Sequence, residues 1–94
     1  MKTNSIWKYV LQPEIELSMP VGAQVLSVRE QGEEICLWAL VTPDAPKETR
    51  RFVSFGTGHD VPAVPLQFHG TAHLQGGSLV FHVFEVPAPS TSKQ

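Results

Sequence analysis

QFHGTAHLQGGSLVFHVFEV, residues 67–86, is the stretch whose reading decides the fold. Two runs of β-branched, aromatic and apolar residues flank Gly76-Gly77, and neither run carries apolar residues at a helical spacing. Alternation with a period of two is the pattern of strands. A glycine pair between two such runs supplies the positive φ that a tight hairpin needs. With Gly76-Gly77 as a two-residue loop, Leu74 faces Leu79, His73 faces Val80, Ala72 faces Phe81, Thr71 faces His82 and His69 faces Phe84. Strand alternation then gives a core face of Phe68, Gly70, Ala72, Leu74, Leu79, Phe81 and Val83. The opposite face carries His69, Thr71, His73, Val80, His82, Phe84 and Val86, and with them three of the four histidines in the chain.

The same alternation recurs outward from this hairpin. Strands are predicted over 6–11, 14–19, 24–30, 34–42, 49–55, 67–75 and 78–86, with Pro or Gly punctuation about every 8 to 12 residues. Pro20-Val21-Gly22 and Gln31-Gly32 read as turns. PDAPKE at 43–48 and DVPAVP at 60–65 read as stiff extended excursions, because proline fixes φ and removes a donor. The expected fold class is therefore all-β, a single small antiparallel sandwich or barrel of about seven strands. Residues 1–87 form one domain, since a chain of 94 residues carries a single core, and residues 88–94 read as a flexible C-terminal tail.

Taking Gln31-Gly32 as a second two-residue loop sets Val28 against Ile35 and Leu26 against Leu37 on the core face. Arg29 then stands opposite Glu34 on the other face, which Val25, Trp38 and Leu40 share. A strand such as ICLWALV, apolar on both sides, has to be covered on both. Val25, Trp38 and Leu40, together with His69, His73, His82 and Phe84, are accordingly the candidate interface residues, and self-association into a homo-oligomer is the expectation.

Seven Lys and Arg against nine Asp and Glu give a net charge of −2, with the basic residues scattered apart from Arg50-Arg51. That is no footprint for a nucleic acid. The one cysteine, Cys36, permits no internal disulfide, so packing alone holds the domain and a reducing compartment, the cytoplasm of a host cell, suits it. The N-terminal run MKTNSIWKYVLQPEIEL is broken by Lys8 and Gln12 and shows no small-residue cleavage site, and is expected to be neither signal peptide nor membrane span.

FGTGHDVP, residues 55–62, imitates a phosphate loop. Such loops need a following helix and a lysine, and here prolines follow instead. His59 and Asp60 lack an assigned nucleophile, so no catalytic residue is expected and the chain is not expected to be an enzyme. Arg50, Arg51, Thr57, Gly58 and His59 remain as candidate ligand-binding residues for a small nucleotide or another phosphate, held without a helix. His69 and His73 lie about 13 Å apart along one strand at about 3.3 Å per residue, too far for one zinc ion. No metal and no cofactor is expected.

MPVGAQVLSV, CLWALVTPDAPKETRRF, FGTGH and GGSLVFHVFEVP together resemble a family of small bacteriophage and prophage proteins, over nearly the whole chain from Ile6 to Pro87. The resemblance implies a viral origin and a compact domain and carries no catalytic residues with it. The expected function is that of a non-enzymatic accessory inhibitor of host antiviral defence, binding a host defence protein, as anti-CRISPR proteins do, or sequestering a nucleotide signal. The alternative is a virion structural or assembly protein.

Overall fold

The computed structural model describes residues 3–88. All seven expected strands are present: β1 (Ser5–Leu11), β2 (Glu14–Pro20), β3 (Gln24–Gln31), β4 (Glu34–Val41), β5 (Lys47–Gly56), β6 (Gln67–Leu74) and β7 (Leu79–Val86). They make two sheets, a three-stranded one in the order β1-β4-β3 and a four-stranded one in the order β2-β5-β7-β6, with every pair antiparallel. The fold is an all-β sandwich. Apart from Ala88, the expected flexible tail lies outside the described residues. Among the described residues no helix is long and apolar enough to cross a membrane.

Prolines and glycines sit where the chain changes sheet. Gln12-Pro13 carries it from the first sheet to the second, and the Pro13 carbonyl accepts from Ser54 N–H at 2.8 Å. The return follows a turn from Pro20 to Ala23, closed by Ala23 N–H on the Pro20 carbonyl at 3.1 Å. Gly22 holds φ +83° there, a conformation that costs a residue with a Cβ. At the same end Val21 N–H donates to the Pro46 carbonyl at 2.8 Å, tying this turn to the PDAP excursion.

The core is the space between the inner faces. Leu11, Leu37, Ala39 and Val41 from the first sheet meet Met19, Phe52 and Val83 from the second, with Val28 and Ala23 alongside. Fully burying the Leu, Val, Met and Phe side chains among these contributes about 1.5–3 kcal/mol each. Cys36 is also fully buried, but on the other side of its sheet, where it lies in register between Val10 and Arg29.

Two β-bulges correct the expected faces. In β6 the register with β7 runs from Leu74↔Leu79 to Gly70↔Val83 as predicted, then shifts so that Phe68 rather than His69 stands opposite Phe84. An extra residue in one strand reverses the alternation beyond it. Phe68 therefore leaves the core face for the outside, where it is 56% exposed, and the His69 side chain turns inward to 8% exposure. The hairpin loop is also longer than two residues, a 3₁₀ turn over Gln75–Gly77 closed by Ser78 N–H on the Gln75 carbonyl.

In β3 the hairpin loop is Gly32-Glu33, so Val28 faces Leu37, Glu30 faces Ile35 and Arg29 faces Cys36, not Glu34. A bulge between Val25 and Ser27 then puts Leu26 outside, although it was expected in the core, and turns Val25 inward against the core. Val25 is thereby removed from the candidate interface.

Gly70 explains how the two sheets meet at the β3 and β6 edges. A Cβ built there would lie 3.0 Å from the Val28 Cβ and 3.1 Å from the Val28 carbonyl oxygen. Nearby, His73 N–H donates to the Glu30 carboxylate at 2.9 Å, a second link between these edges. Because the obstacle at Gly70 is partly backbone, Gly70→Ala is expected to destabilise the domain by about 1–3 kcal/mol. Urea denaturation checks this; a variant as stable as the wild type would mean that β3 yields at no cost.

Candidate docking surface

Arg50 and Arg51, adjacent in β5, point to opposite sides of the sheet. Arg50 faces inward, where its Nε donates to Glu85 Oε2 at 2.7 Å and its Nη2 to Glu85 Oε1 at 2.8 Å, while Nη1 donates to the Ala23 carbonyl at 2.6 Å. His69, delivered by the bulge, donates its Nε2–H to Glu85 Oε1 at 2.9 Å. The Arg50 guanidinium also lies over the Phe52 ring at 5.9 Å. Burial alone pushes the Glu85 carboxyl up, but the hydrogen bonds and charges of Arg50 and His69 outweigh it and hold Glu85 below the usual glutamate range. The hydrogen bond to Glu85 holds Arg50 above the usual arginine range.

Arg51 faces outward and pairs with the Glu14 carboxylate of β2. Thr57, Gly58 and His59 stand at the far end of β5, about 20 Å from Arg50 at roughly 3.3 Å per residue. The five candidate ligand-binding residues are therefore not brought to one site. FGTGH is a β-turn in which His59 N–H donates to the Gly56 carbonyl at 3.0 Å and Gly58 holds φ +89°. The His59 ring lies over Gly56, so close that a Cβ on Gly56 would come within 2.8 Å of it.

The outer face of the four-stranded sheet is where apolar surface gathers. Phe84 stands opposite Val53 on one side and Phe68 on the other. It packs edge to face against Phe55 at 5.9 Å and against Phe68 at 5.4 Å between ring centroids. His82, on the same face, shares hydrogen bonds with Thr57 Oγ1 at 2.8 Å and Thr71 Oγ1 at 3.0 Å. Both ring nitrogens are thus engaged. His73 is exposed at the rim. Of the sequence-derived candidates, His82, Phe84 and His73 lie on this face and His69 does not.

The connection 57–66 covers part of this surface. β5 and β6 both run antiparallel to β7, which lies between them, so the chain must return along the sheet before β6 begins. It crosses the outer face, and a groove of about 460 Å³ lies beneath it. The walls are Val53, Phe55 and Val86 from the sheet and Pro62, Val64 and Leu66 from the connection, with the Glu14–Arg51 pair at the rim. Val64 is left 56% exposed, as Phe68 is.

The outer face of the other sheet is smaller. Leu40 stands opposite Ile6, Trp38 opposite Lys8, and Val10 opposite Cys36. Trp38 and Leu40 are half-buried, and Ile6, at the edge, is 60% exposed. Lys8 bonds Gln31 across the strand between them at 2.7 Å.

Among the described residues no three of His, Cys, Asp or Glu gather where they could hold a metal ion. The Tyr9 hydroxyl is buried with no hydrogen-bond partner among them. Burial pushes its pKa up, partly offset by the Arg50 charge.

Arg50→Ala would strand a buried carboxylate and is expected to cost about 3 kcal/mol or more, whereas replacing Arg50, Glu85 and His69 together by apolar residues should cost much less. Acid should act through the same group. With the folded pKa of Glu85 lowered, its contribution is complete above the unfolded pKa and is lost as pH falls through the folded value. Thermal melts of wild type and Glu85→Gln from neutral to acid pH check the sign. The wild type should lose more stability below the usual glutamate range, and parallel pH profiles would exclude Glu85 as the cause.

The chain belongs to the DUF7352 family, a domain of unknown function whose family model matches residues 2–94. No curated protein and no solved structure matches it.

Proposed function

We propose that this member of the DUF7352 family acts by binding, as a bacteriophage accessory protein that blocks host antiviral defence by docking a host protein effector. The observation that carries this is the Phe55, Phe84 and Phe68 ladder, which runs from beneath the 57–66 connection out to a largely exposed ring. Aromatic side chains beside a partly desolvated groove are what protein partners use as anchors. An open apolar face of this kind on a small domain points to a docking function.

The nucleotide-sequestering form of the proposal has less support. Arg50 and Arg51 diverge to opposite faces, each engaged by a carboxylate, and the GTGH turn lies at the other end of β5. Binding rather than catalysis fits the same facts, since His82, His69, Glu85 and both arginines are engaged with one another or with hydroxyl groups. The second reading, a virion assembly protein, draws on the Ile6, Trp38 and Leu40 face, which a second copy could cover.

The test is expression of the chain in bacteria that carry antiviral defence systems, followed by phage plating. The wild type should restore plaques, and Phe68→Ala with Val64→Ser should lose this while melting at nearly the wild-type temperature, since both residues are exposed. Losing such an anchor weakens docking by about 2 kcal/mol, roughly thirtyfold in Kd. Native mass spectrometry separates the alternatives. A bare homo-oligomer that Trp38→Ala dissolves, with no effect on plating, would favour assembly; a retained nucleotide-sized mass would revive the sequestering form.

A further inference from the structure

The two ends of the sandwich differ. At one end Arg50, Glu85, the Ala23 carbonyl and the turns at Val21 and Pro46 link the sheets, and the cavity of about 410 Å³ there is lined largely by charged residues, Glu16, Glu48, Arg50, Arg51 and Glu85. At the other, where the β3–β4 and β6–β7 hairpins and the Gln12-Pro13 link turn, the sheets leave a cavity of about 460 Å³ open to solvent. Leu11 and Ile35 line it from one sheet, Leu74, Leu79 and Phe81 from the other, with Val10 beside them. Gln12, Glu33, Glu34 and Ser54 are its polar side chains.

We propose that this mouth is a binding site for a small amphiphilic cation, an apolar chain or ring that carries a single ammonium group. The volume lies within the range of small-molecule sites, which combine apolar walls with a few polar groups. A peptide backbone is the poorer occupant, because entering between the sheets would strip water from its amides, and Gln12 and Ser54 offer too few partners. An apolar chain incurs no such cost and leaves its charged end in the rim.

The sign of that charge follows from the residues at the rim. Glu33 and Glu34 line the mouth, and Glu30 stands opposite Ile35 one rung away. Of the nearby basic groups, Arg29 stands opposite Cys36 and Lys8 is held by Gln31, both on the outer face of that sheet. His73, whose N–H is held by Glu30, lies on the outer side of the other sheet. A carboxylate ligand would meet like charge, and an ammonium would be attracted.

The probes are octylammonium, octanol and octanoate, titrated into the full chain and followed by amide NMR shifts. Octylammonium should bind saturably, shifting Leu11, Ile35, Leu74, Leu79 and Phe81, and octanoate should bind about tenfold more weakly. Glu33→Gln with Glu34→Gln, both exposed, should erase most of that preference while leaving the fold intact. Leu79→Trp, at the open edge, should occlude the mouth and weaken all three probes. The proposal is overturned if octylammonium does not saturate, if octanol or octanoate binds as tightly, or if the shifts fall on Val64 and Phe68 instead.

Discussion

The bidentate pair between Arg50 and Glu85 is the interaction on which the rest of the arrangement depends. A carboxylate placed opposite Phe52 and two residues along the strand from buried Val83 would be costly to bury alone. Here both of its oxygens accept from Arg50, and one also accepts from His69. Arg50 in turn reaches the Ala23 carbonyl where the chain passes from one sheet to the other. The cluster thus ties β5, β6 and β7 to the start of β3. Its consequence is specificity of register as much as stability, because a one-residue slip of β6 would take His69 away from Glu85 and back to the surface.

That coupling links the interior to the outer face. The bulge that turns His69 inward also turns Phe68 outward, since the extra residue reverses every side chain on the far side of it. Phe68 then completes the edge-to-face ladder with Phe84 and Phe55. A buried ion cluster and an exposed aromatic anchor are thus two results of the same inserted residue. Gly70, immediately beyond the bulge, is the position at which β6 can approach the Val28 backbone closely enough for the two sheets to meet.

Most of the architecture was legible in the sequence because strand alternation and Pro-Gly punctuation are local signals. All seven strands, the registers of Leu74 with Leu79 through Thr71 with His82, and the turn character of FGTGH follow from them. The bulges interrupt that alternation, and the faces of Val25, Leu26, Phe68 and His69 depend on them. The signal for one of them was present: an isolated glycine inside a strand, Gly70, marks a bulge or a close backbone approach. No comparable mark precedes Leu26. Arg50 against Arg51 is harder still, because alternation says only that neighbours diverge, and which of two arginines goes inside depends on where Glu85 stands two strands of sequence later.

The connection 57–66 shows why a groove could not be foreseen from its own residues. Its prolines forbid a helix and leave an extended segment, but the surface it creates belongs to the topology. A crossover between two parallel strands with a third between them has to pass over one face of the sheet. The inner face is filled by the other sheet, so only the outer one is open. The connection's Val64 and Leu66 must then pack on whatever that face presents, here Val53, Phe55 and Val86. Ten residues are too few to cover four strands, so the cover stops short of Phe68. The exposed end of the aromatic ladder is therefore a consequence of strand order and connection length together.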